Sequence, residues 1–246
     1  MRVGFLIKVR LKSTRLKSKA VLKLNSEPMI VHMIRRIKKY SDLFSNIIVC
    51  TSTNPQDDPL EDIAKQENVD IFRGDEDDVL KRYYETAKEF DLDFLLKSGA
   101  DNPLVSLDYA EKVINYFKKN SPGLITLTDL PIGMFFYAIC PKSLKKVIDR
   151  KKTDDTEVWG NLFKNHNDIT LYDFPVDKKY MRTNYRLTVD YSEDFVVIKN
   201  IFNHFSDKIY DTSTLEILDF LDKNTSVLKI NQSNQKLYEK NIGNAI

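Results

Sequence analysis

The chain begins with a short apolar run that leads directly into a strongly basic segment. Residues 3–7 read Val-Gly-Phe-Leu-Ile, and six lysine or arginine residues follow from Lys8 to Lys19 with no acid among them. Because like charges at this density repel each other, the segment is expected to bind an anion. A buried strand that ends in a basic loop with serine and threonine is a common way for an α/β protein to hold a polyphosphate.

A basic run has three other interpretations: a solvated face, a nucleic-acid patch or a targeting segment. A secretory signal places its charges before a longer apolar core. Here the apolar run has only about five residues and precedes the charges. The order of strand and loop therefore favours a phosphate-binding loop.

The composition predicts a folded protein with one sizeable core. The chain has 246 residues, of which 42% are hydrophobic and 30% are charged, so one α/β domain spanning 1–246 is expected. The net charge of +2 argues against a general nucleic-acid binder. No apolar run approaches the roughly 18 residues that span a bilayer. We therefore expect no membrane partner, no nucleic-acid partner and a cytoplasmic location.

The cysteines and histidines give no sign of a metal cluster. Cys50 and Cys140 each lie in an apolar run, which favours two free thiols over a disulfide. His32, His166 and His204 are isolated in the sequence, and a structural role is expected for His32 and His204, which fall in helical patterns.

The first 130 residues alternate between strand-like and helix-like patterns. The predicted strands are 2–9, 46–51, 70–72, 94–97 and 124–128. The predicted helices are 28–40, 59–66, 78–89 and 107–119, with prolines at their starts at Pro28 and Pro59 and a cap at Asp77 or Asp78. This order predicts a mainly parallel sheet flanked by helices, with ligands at the carboxyl ends of the strands.

The second half has a less regular pattern. Strands are predicted at 134–140, 169–174 and 186–189, and helices at 142–150, about 193–205 and 214–221. The tail after Asn231 is expected to be peripheral. The fold class is therefore α/β, a three-layer Rossmann-like sheet with a smaller irregular α+β part in the second half.

Two acids follow predicted strands. Asp101 comes after the strand at 94–97 through Ser98-Gly99-Ala100, and Asp190 comes directly after 186–189. Each acid alone is more typical of a cap or turn. Together they could project over the edge that presents the basic loop, where a pair of carboxylates beside a triphosphate predicts a Mg²⁺ site.

Six stretches together resemble a known family. Residues 7–19, Ile-Lys-Val-Arg-Leu-Lys-Ser-Thr-Arg-Leu-Lys-Ser-Lys, are similar to the signature loop of the cytidylyltransferases that activate acidic sugars. That group includes the CMP-ketodeoxyoctulosonate and CMP-sialate synthetases and the SpsF-like branch of spore-coat polysaccharide synthesis, which this chain resembles best. The supporting stretches are 27–29, 51–59, 72–84, 101–104 and 186–195.

The resemblance implies a GT-A-like fold and the transfer of CMP from CTP to an acceptor with Mg²⁺. It implies catalytic roles for Arg15 and Lys19 and a metal held by Asp101 and Asp190. It further implies a nucleotide-binding set formed by Lys8, Arg10, Ser13, Arg15, Lys19, Gly74 and Asp101. Residues of about 1–130 would then bind the nucleotide, and about 131–230 would bind the acceptor and form a homodimer.

The basic loop departs from the SpsF-like pattern at its glycines. Lys12 stands where that branch usually has glycine, Lys17-Ser18 replaces Pro-Gly, and Asn102 stands where it tends to have cysteine. These changes predict a different backbone geometry in the loop. None of them removes a cation or a carboxylate that the chemistry requires.

The acceptor pocket falls in the segments with least resemblance, namely 129–136, 154–159 and 180–185. Arg182 could pair with an anionic acceptor, and Glu157 could contact its hydroxyl or amine. Each has an ordinary alternative, as a surface residue or at a helix start, and Trp159 is more typical of a core or dimer contact. The acceptor is therefore expected to be a small anionic metabolite such as an acidic sugar, a phosphate or a phosphonate.

Two other functions are compatible with parts of the sequence. A glycosyltransferase of the same fold would use an Asp-X-Asp motif, but Asp91-Leu92-Asp93 precedes its strand and so lies at the wrong edge. A nucleotide-binding protein without turnover is disfavoured by the intact set of Arg15, Lys19, Asp101 and Asp190.

Overall fold

A seven-stranded sheet forms the centre of the computed structural model, which describes residues 1–13 and 15–235. The strands are β1 (Val3–Lys8), β2 (Lys23–Leu24), β3 (Glu27–Pro28), β4 (Asn46–Ser52), β5 (Asp70–Gly74), β6 (Phe94–Gly99), β7 (Leu124–Thr126), β8 (Tyr137–Ile139) and β9 (Leu171–Asp173). The helices are α1 (Met29–Lys38), α2 (Pro59–Gln66), α3 (Val79–Glu89), α4 (Ala110–Asn120), α5 (Pro141–Arg150), α6 (Gly160–Lys164), α7 (Ser192–Phe205), α8 (Thr214–Lys223) and α9 (Thr225–Lys229).

The strand order is β5-β4-β1-β6-β8-β7-β9, and β2 pairs with β3 in a separate hairpin. Strands β5, β4, β1 and β6 are mutually parallel. Strand β8 is antiparallel to both of its neighbours, and β7 and β9 are parallel. The sequence-based prediction of a mainly parallel sheet flanked by helices is confirmed.

The apolar run of β1 is buried because β1 lies in the middle of the sheet and helices cover both of its faces. Phe5 and Ile7 pack on one face with α1, α2 and α4, and Leu6 packs on the other face with α3, α5 and α6. This pattern follows from the alternation of side chains along a strand. A third apolar cluster joins α7 and α8 to Met29 at the start of α1.

The helix starts follow local chemistry. Pro59 is the first residue of α2, and Asp78 caps α3 by accepting a hydrogen bond from the backbone N–H of Lys81 at 3.2 Å, as predicted. Helix α1 instead begins at Met29, because Pro28 has an extended backbone and pairs with Lys23 in the hairpin.

The prediction of a strand at 186–189 is wrong. The segment makes a single bridge, between Arg186 and Ile132, and Gly133 then turns the partner chain away with a φ of +92°. A Cβ on Gly133 would collide with the backbone of Leu187 and Thr188, so the two segments pack too closely for any side chain at position 133.

The expectation of a peripheral tail after Asn231 is also wrong for the described residues up to 235. Asn231, Asn234 and Gln235 are buried. The amide of Asn231 donates to the backbone oxygen of Arg186 at 2.9 Å and to Oδ1 of Asp194 at 3.0 Å. The remainder of the predicted tail, 236–246, lies outside the described residues.

The helices of the described part of the chain are too short or too polar to cross a membrane.

Candidate active site

The basic loop leaves β1 at the carboxyl edge of the sheet and is fixed there by a buried acid. The backbone N–H of Leu11 donates to Oδ1 of Asp57 at 2.7 Å. The other oxygen of Asp57 accepts from the hydroxyls of Thr51 and Ser52 at the end of β4, at 2.9 and 2.5 Å. Asp57 therefore ties the loop to the neighbouring strand. The sequence analysis assigned no role to Asp57, although it lies in a stretch that carries the family resemblance.

Ser18 shows how the loop turns without the expected glycine. Its backbone has a φ of 48°, in the left-handed region that glycine adopts most easily. A short 3₁₀ turn, Lys19–Val21, follows directly. The turn brings Lys19 over the carboxyl ends of β1 and β6.

Lys19 lies between the two acids that the sequence singles out. Its Nζ donates to Oδ2 of Asp101 and to Oδ1 of Asp190, each at 2.8 Å. Burial alone would lower the pKa of Lys19, but Asp101 and then Asp190 raise it above its usual value. Lys19 is therefore a fully charged ammonium at neutral pH.

Asp190 is shared by three cations. Arg15 donates to its Oδ1 at 3.0 Å, and Arg186 donates to its Oδ2 at 2.9 Å, in addition to the contact with Lys19. Burial alone would raise the pKa of Asp190, but Lys19, then Arg15 and Arg186, lower it below its usual value. The carboxylate is therefore ionised at neutral pH.

A buried network behind the site holds Asp190 in place. Asp194, which is fully buried, accepts from Arg186 at 3.0 and 3.1 Å and from the backbone N–H of Asp190 at 3.0 Å. With its oxygens fully engaged in this way, Asp194 acts as a positioning residue. Neither Arg186 nor Asp194 was predicted as a site residue, because their spacing of eight residues across a turn gives no periodic signal.

The carboxylates of Asp101 and Asp190 could together hold a divalent cation. Both carboxylates reach one ammonium, so oxygens of both could also reach one small cation. Between residues 1–13 and 15–235 no group of three or more His, Cys, Asp or Glu side chains is placed to hold a metal ion. This donor set suits Mg²⁺, which binds through one or two carboxylates and completes its shell with water and substrate phosphates.

A second cluster of charges lies at Lys8, the last residue of β1. The ammonium of Lys8 contacts Oε1 of Glu157, and Arg10 donates to Oε2 of Glu157 at 2.8 Å. Arg10 also donates to the backbone oxygen of Glu76 at 2.6 Å and lies 3.4 Å from Asp77. Glu157, which the sequence predicts at the acceptor, is thus bound to two predicted nucleotide-binding residues.

Both clusters open into one cavity of about 330 Å³. The predicted site residues that line it are Lys8, Arg10, Ser13, Arg15, Lys19, Asp101 and Glu157. Asp190 contacts the cavity wall through Lys19 and Arg15. Lys12 and Asp77 line the cavity as well, although neither was predicted as a site residue. A cavity of this size and charge can hold an anionic small molecule.

Besides Asp190, two predicted site residues do not line this cavity. Gly74 lies behind it, where an added Cβ would crowd Phe72 and Arg82. Arg182 makes a two-pronged ion pair with Asp222, with N–O distances of 3.1 and 2.7 Å. Roles for Gly74 at the nucleoside and for Arg182 at the acceptor stay predictions.

The Asp-X-Asp sequence lies at the opposite edge of the sheet. Asp93 precedes β6, and its carboxylate accepts from the backbone N–H of Arg2, just before β1, at 2.8 Å. It is therefore one strand length away from the carboxyl edge that carries the cavity.

The fold and this site define the class of protein. A mainly parallel sheet that brings a basic loop and two carboxylates together at its carboxyl edge is that of a nucleotidyltransferase. The chain belongs to the cytidylyltransferase family, whose sequence model matches residues 5–240.

Three known proteins are similar to the chain along nearly its whole length. An uncharacterized protein of Methanocaldococcus jannaschii, MJ1063, is 29% identical over 98% of this chain and 99% of its own. The spore coat polysaccharide biosynthesis protein SpsF of Bacillus subtilis is 24% identical over 89% of this chain and 94% of its own. A solved cytidylyltransferase from Leptospira borgpetersenii superposes with a TM-score of 0.85 at 26% identity, covering 93% of this chain and 97% of that one.

Proposed function

We propose that the protein transfers CMP from CTP to a small anionic acceptor, with Mg²⁺ and with release of pyrophosphate. The observation that carries the proposal is the convergence of Arg15 and Lys19 on Asp101 and Asp190 at the rim of one cavity. Membership of the cytidylyltransferase family supports CTP as the donor.

The residues of the loop suit this chemistry. An oxygen of the acceptor attacks the α-phosphorus of CTP, and the bond to the β-phosphate oxygen breaks to release pyrophosphate. Arg15 and Lys19 screen the negative charge of the triphosphate as the acceptor approaches, and they neutralise the charge that develops on the leaving group. Bound Mg²⁺ would supply further charge neutralisation and would be held by Asp101 and Asp190.

Contacts within the protein anchor the loop at Leu11 and at Lys19. Asp57 fixes its start, and the pairs of Lys19 with Asp101 and Asp190 fix its end. A preorganised cationic loop spends little of the binding energy on ordering itself. This arrangement supports a catalytic role over storage or scaffolding.

An anionic acceptor matches the surplus of cations at the site. The similarity to SpsF, a spore coat polysaccharide biosynthesis protein, supports an acidic sugar as the acceptor and a role in polysaccharide synthesis. To bind the acceptor, Arg182 would have to break its ion pair with Asp222. We also propose that the protein forms a homodimer and acts in the cytoplasm.

The experiment is a pyrophosphate-release assay with each of the four NTPs, with and without Mg²⁺, and with a panel of acidic sugars, sugar phosphates and phosphonates. We expect release with CTP, with Mg²⁺ and with one class of anionic acceptor. Absence of release with every pair, while a sugar nucleotide is hydrolysed, would contradict the proposal and would favour a glycosyltransferase.

A further inference from the structure

A donor and an acceptor stand side by side in the wall of the cavity. The ammonium of Lys8 contacts Oε1 of Glu157, and both side chains line the cavity. Lys19, Asp101 and Asp190 form a separate hydrogen-bonded cluster. The cavity wall therefore carries two separate clusters of charged side chains.

The segment that carries Glu157 is anchored on both sides. Just before it, the buried Thr156 donates to Oδ1 of Asp78 at 3.1 Å and accepts from the backbone N–H of Leu80 at 3.0 Å. Just after it, the side chain of Trp159 is buried against Tyr137. Glu157 is thus presented to the cavity by a fixed backbone, although its neighbour Val158 is 78% exposed.

A buried lysine lies beneath this pair. Lys97 is almost fully buried, and its Nζ lies 4.8 Å from the ring centre of Tyr137, 5.0 Å from Trp159 and 5.7 Å from Tyr83. The described residues give it no carboxylate partner at ion-pair distance. An amine enclosed by aromatic side chains in this way is buried without taking up the oxygens of Glu157.

The charges around Glu157 keep its carboxylate ionised, so that it accepts hydrogen bonds. Burial alone would raise its pKa, but Lys8, then Arg10 and Arg82, lower the pKa below its usual value. An ionised carboxylate can accept hydrogen bonds through both oxygens and cannot donate. Lys8, as an ammonium, can only donate.

We propose that Lys8 and Glu157 read the base of the nucleotide and select cytosine over uracil. If the phosphates bind at Lys19 and Asp101, as the proposed function requires, the Lys8–Glu157 pair is left to contact the base. Cytosine presents an amino donor, N4–H₂, next to the acceptors N3 and O2. The carboxylate would accept from N4–H₂ while the ammonium donates to the adjacent acceptors.

At ring positions 3 and 4, uracil has the reverse pattern of hydrogen-bond donors and acceptors. It presents the acceptor O4 in place of the amino group and an N3–H donor in place of N3. Its O4 would face the carboxylate of Glu157, and its N3–H would face the ammonium of Lys8. Specificity would then come from repulsion of the wrong base as well as from attraction of the right one.

The test measures binding of CTP and UTP by calorimetry, with Mg²⁺ and without acceptor, to the wild type, to Glu157→Gln and to Glu157→Ala. The amide of glutamine can turn its NH₂ toward O4 of uracil, so Glu157→Gln should lower the ratio Kd(UTP)/Kd(CTP) by at least about tenfold. Glu157→Ala should weaken CTP binding more than UTP binding. Asp154→Asn is the matched control, because Asp154 lies on the same segment, has a side chain that is 94% exposed, and loses the same charge.

The outcomes separate the alternatives. A lower ratio in both Glu157 variants, with an unchanged ratio in Asp154→Asn, supports base reading. Tighter binding of both nucleotides in parallel would overturn it, since Glu157 would then only compete with the ligand for Lys8 and Arg10. An unchanged ratio would also overturn it and would return Glu157 to the acceptor. A wild type that binds UTP as tightly as CTP would overturn base reading as well, whereas a wild type that does not bind CTP would contradict the proposed function itself.

Discussion

The ammonium of Lys19 lies 2.8 Å from Oδ2 of Asp101, so a cation of the protein itself stands at the carboxylate expected to bind metal. This pairing lowers the cost of concentrating so much positive charge in one loop. The pairing keeps the loop and the two carboxylates charged and close together.

The first prediction concerns Asp101→Asn and Asp190→Asn. Each change removes a carboxylate charge but keeps the shape of the side chain, so we expect Mg²⁺ to lose most of its effect on CTP affinity, by about tenfold or more. Calorimetric titration of CTP with and without Mg²⁺ measures this effect directly. Asp219→Asn, on the exposed side of α8, is the control. A variant that keeps the full effect of Mg²⁺ would remove its residue from the metal site.

The second prediction separates Lys19→Ala from Arg15→Ala. Both should weaken CTP binding, because each removes a cation from the loop. The side chain of Arg15 is 51% exposed, so its loss should cost at most about 1 kcal/mol of stability. The side chain of Lys19 is only 16% exposed and its loss leaves two carboxylates without it, so about 2 kcal/mol is expected.

Urea unfolding of both variants measures the difference in stability, and CTP titration measures the affinity. Equal stabilities would show that the contacts of Lys19 with Asp101 and Asp190 contribute nothing beyond an exposed pair. Unchanged CTP affinity in both variants would count against the loop as the triphosphate site.

The sequence predicted the sheet and most of the charged residues that line the cavity, because those features follow from local patterns. The apolar run before Lys8 and the alternation of strands and helices are periodic signals, and Asp101 follows a strand that could be recognised. Asp57 and Asp194 carry no such signal, since their roles arise only when distant segments meet. The contact of Glu157 with Lys8 joins residues 149 positions apart, which no spacing in the sequence reveals.

The third prediction concerns Asp57→Asn. The carboxylate of Asp57 accepts from Leu11, Thr51 and Ser52, and an asparagine would turn an NH₂ group toward one set of these donors. We expect a loss of about 2–4 kcal/mol in the free energy of unfolding together with weaker CTP binding. Chemical unfolding and CTP titration measure the two effects.

Asp58→Asn provides the matched control for Asp57→Asn. Asp58 is the next residue, and its side chain is 61% exposed in an ion pair with Arg73. It should change stability by at most about 1 kcal/mol. If Asp57→Asn behaved like this control, the loop would be held by something other than Asp57.

The last prediction uses the buried amine of Lys97. Burial, and then the charge of Lys8, lower its pKa from 10.5 to about 7, although the rings of Tyr137 and Trp159 attract the charged form. The ionisable or charged groups that face it are Lys8, Cys50, Arg82, Tyr83, Asp101, Tyr137 and Glu157.

Between pH 7 and 9 the unfolded chain keeps the proton on Lys97 while the folded protein loses it. The unfolded state therefore binds more protons, and the free energy of unfolding should rise with pH, by up to about 1.4 kcal/mol per pH unit from this residue. Lys97→Met should flatten that rise, whereas Lys118→Met, at an exposed position on α4, should keep it. Urea unfolding at pH 7, 8 and 9 gives the three slopes. Parallel slopes for the wild type and Lys97→Met would mean that Lys97 stays protonated inside its ring of aromatic faces, and that the attraction to Tyr137 and Trp159 outweighs the cost of burial.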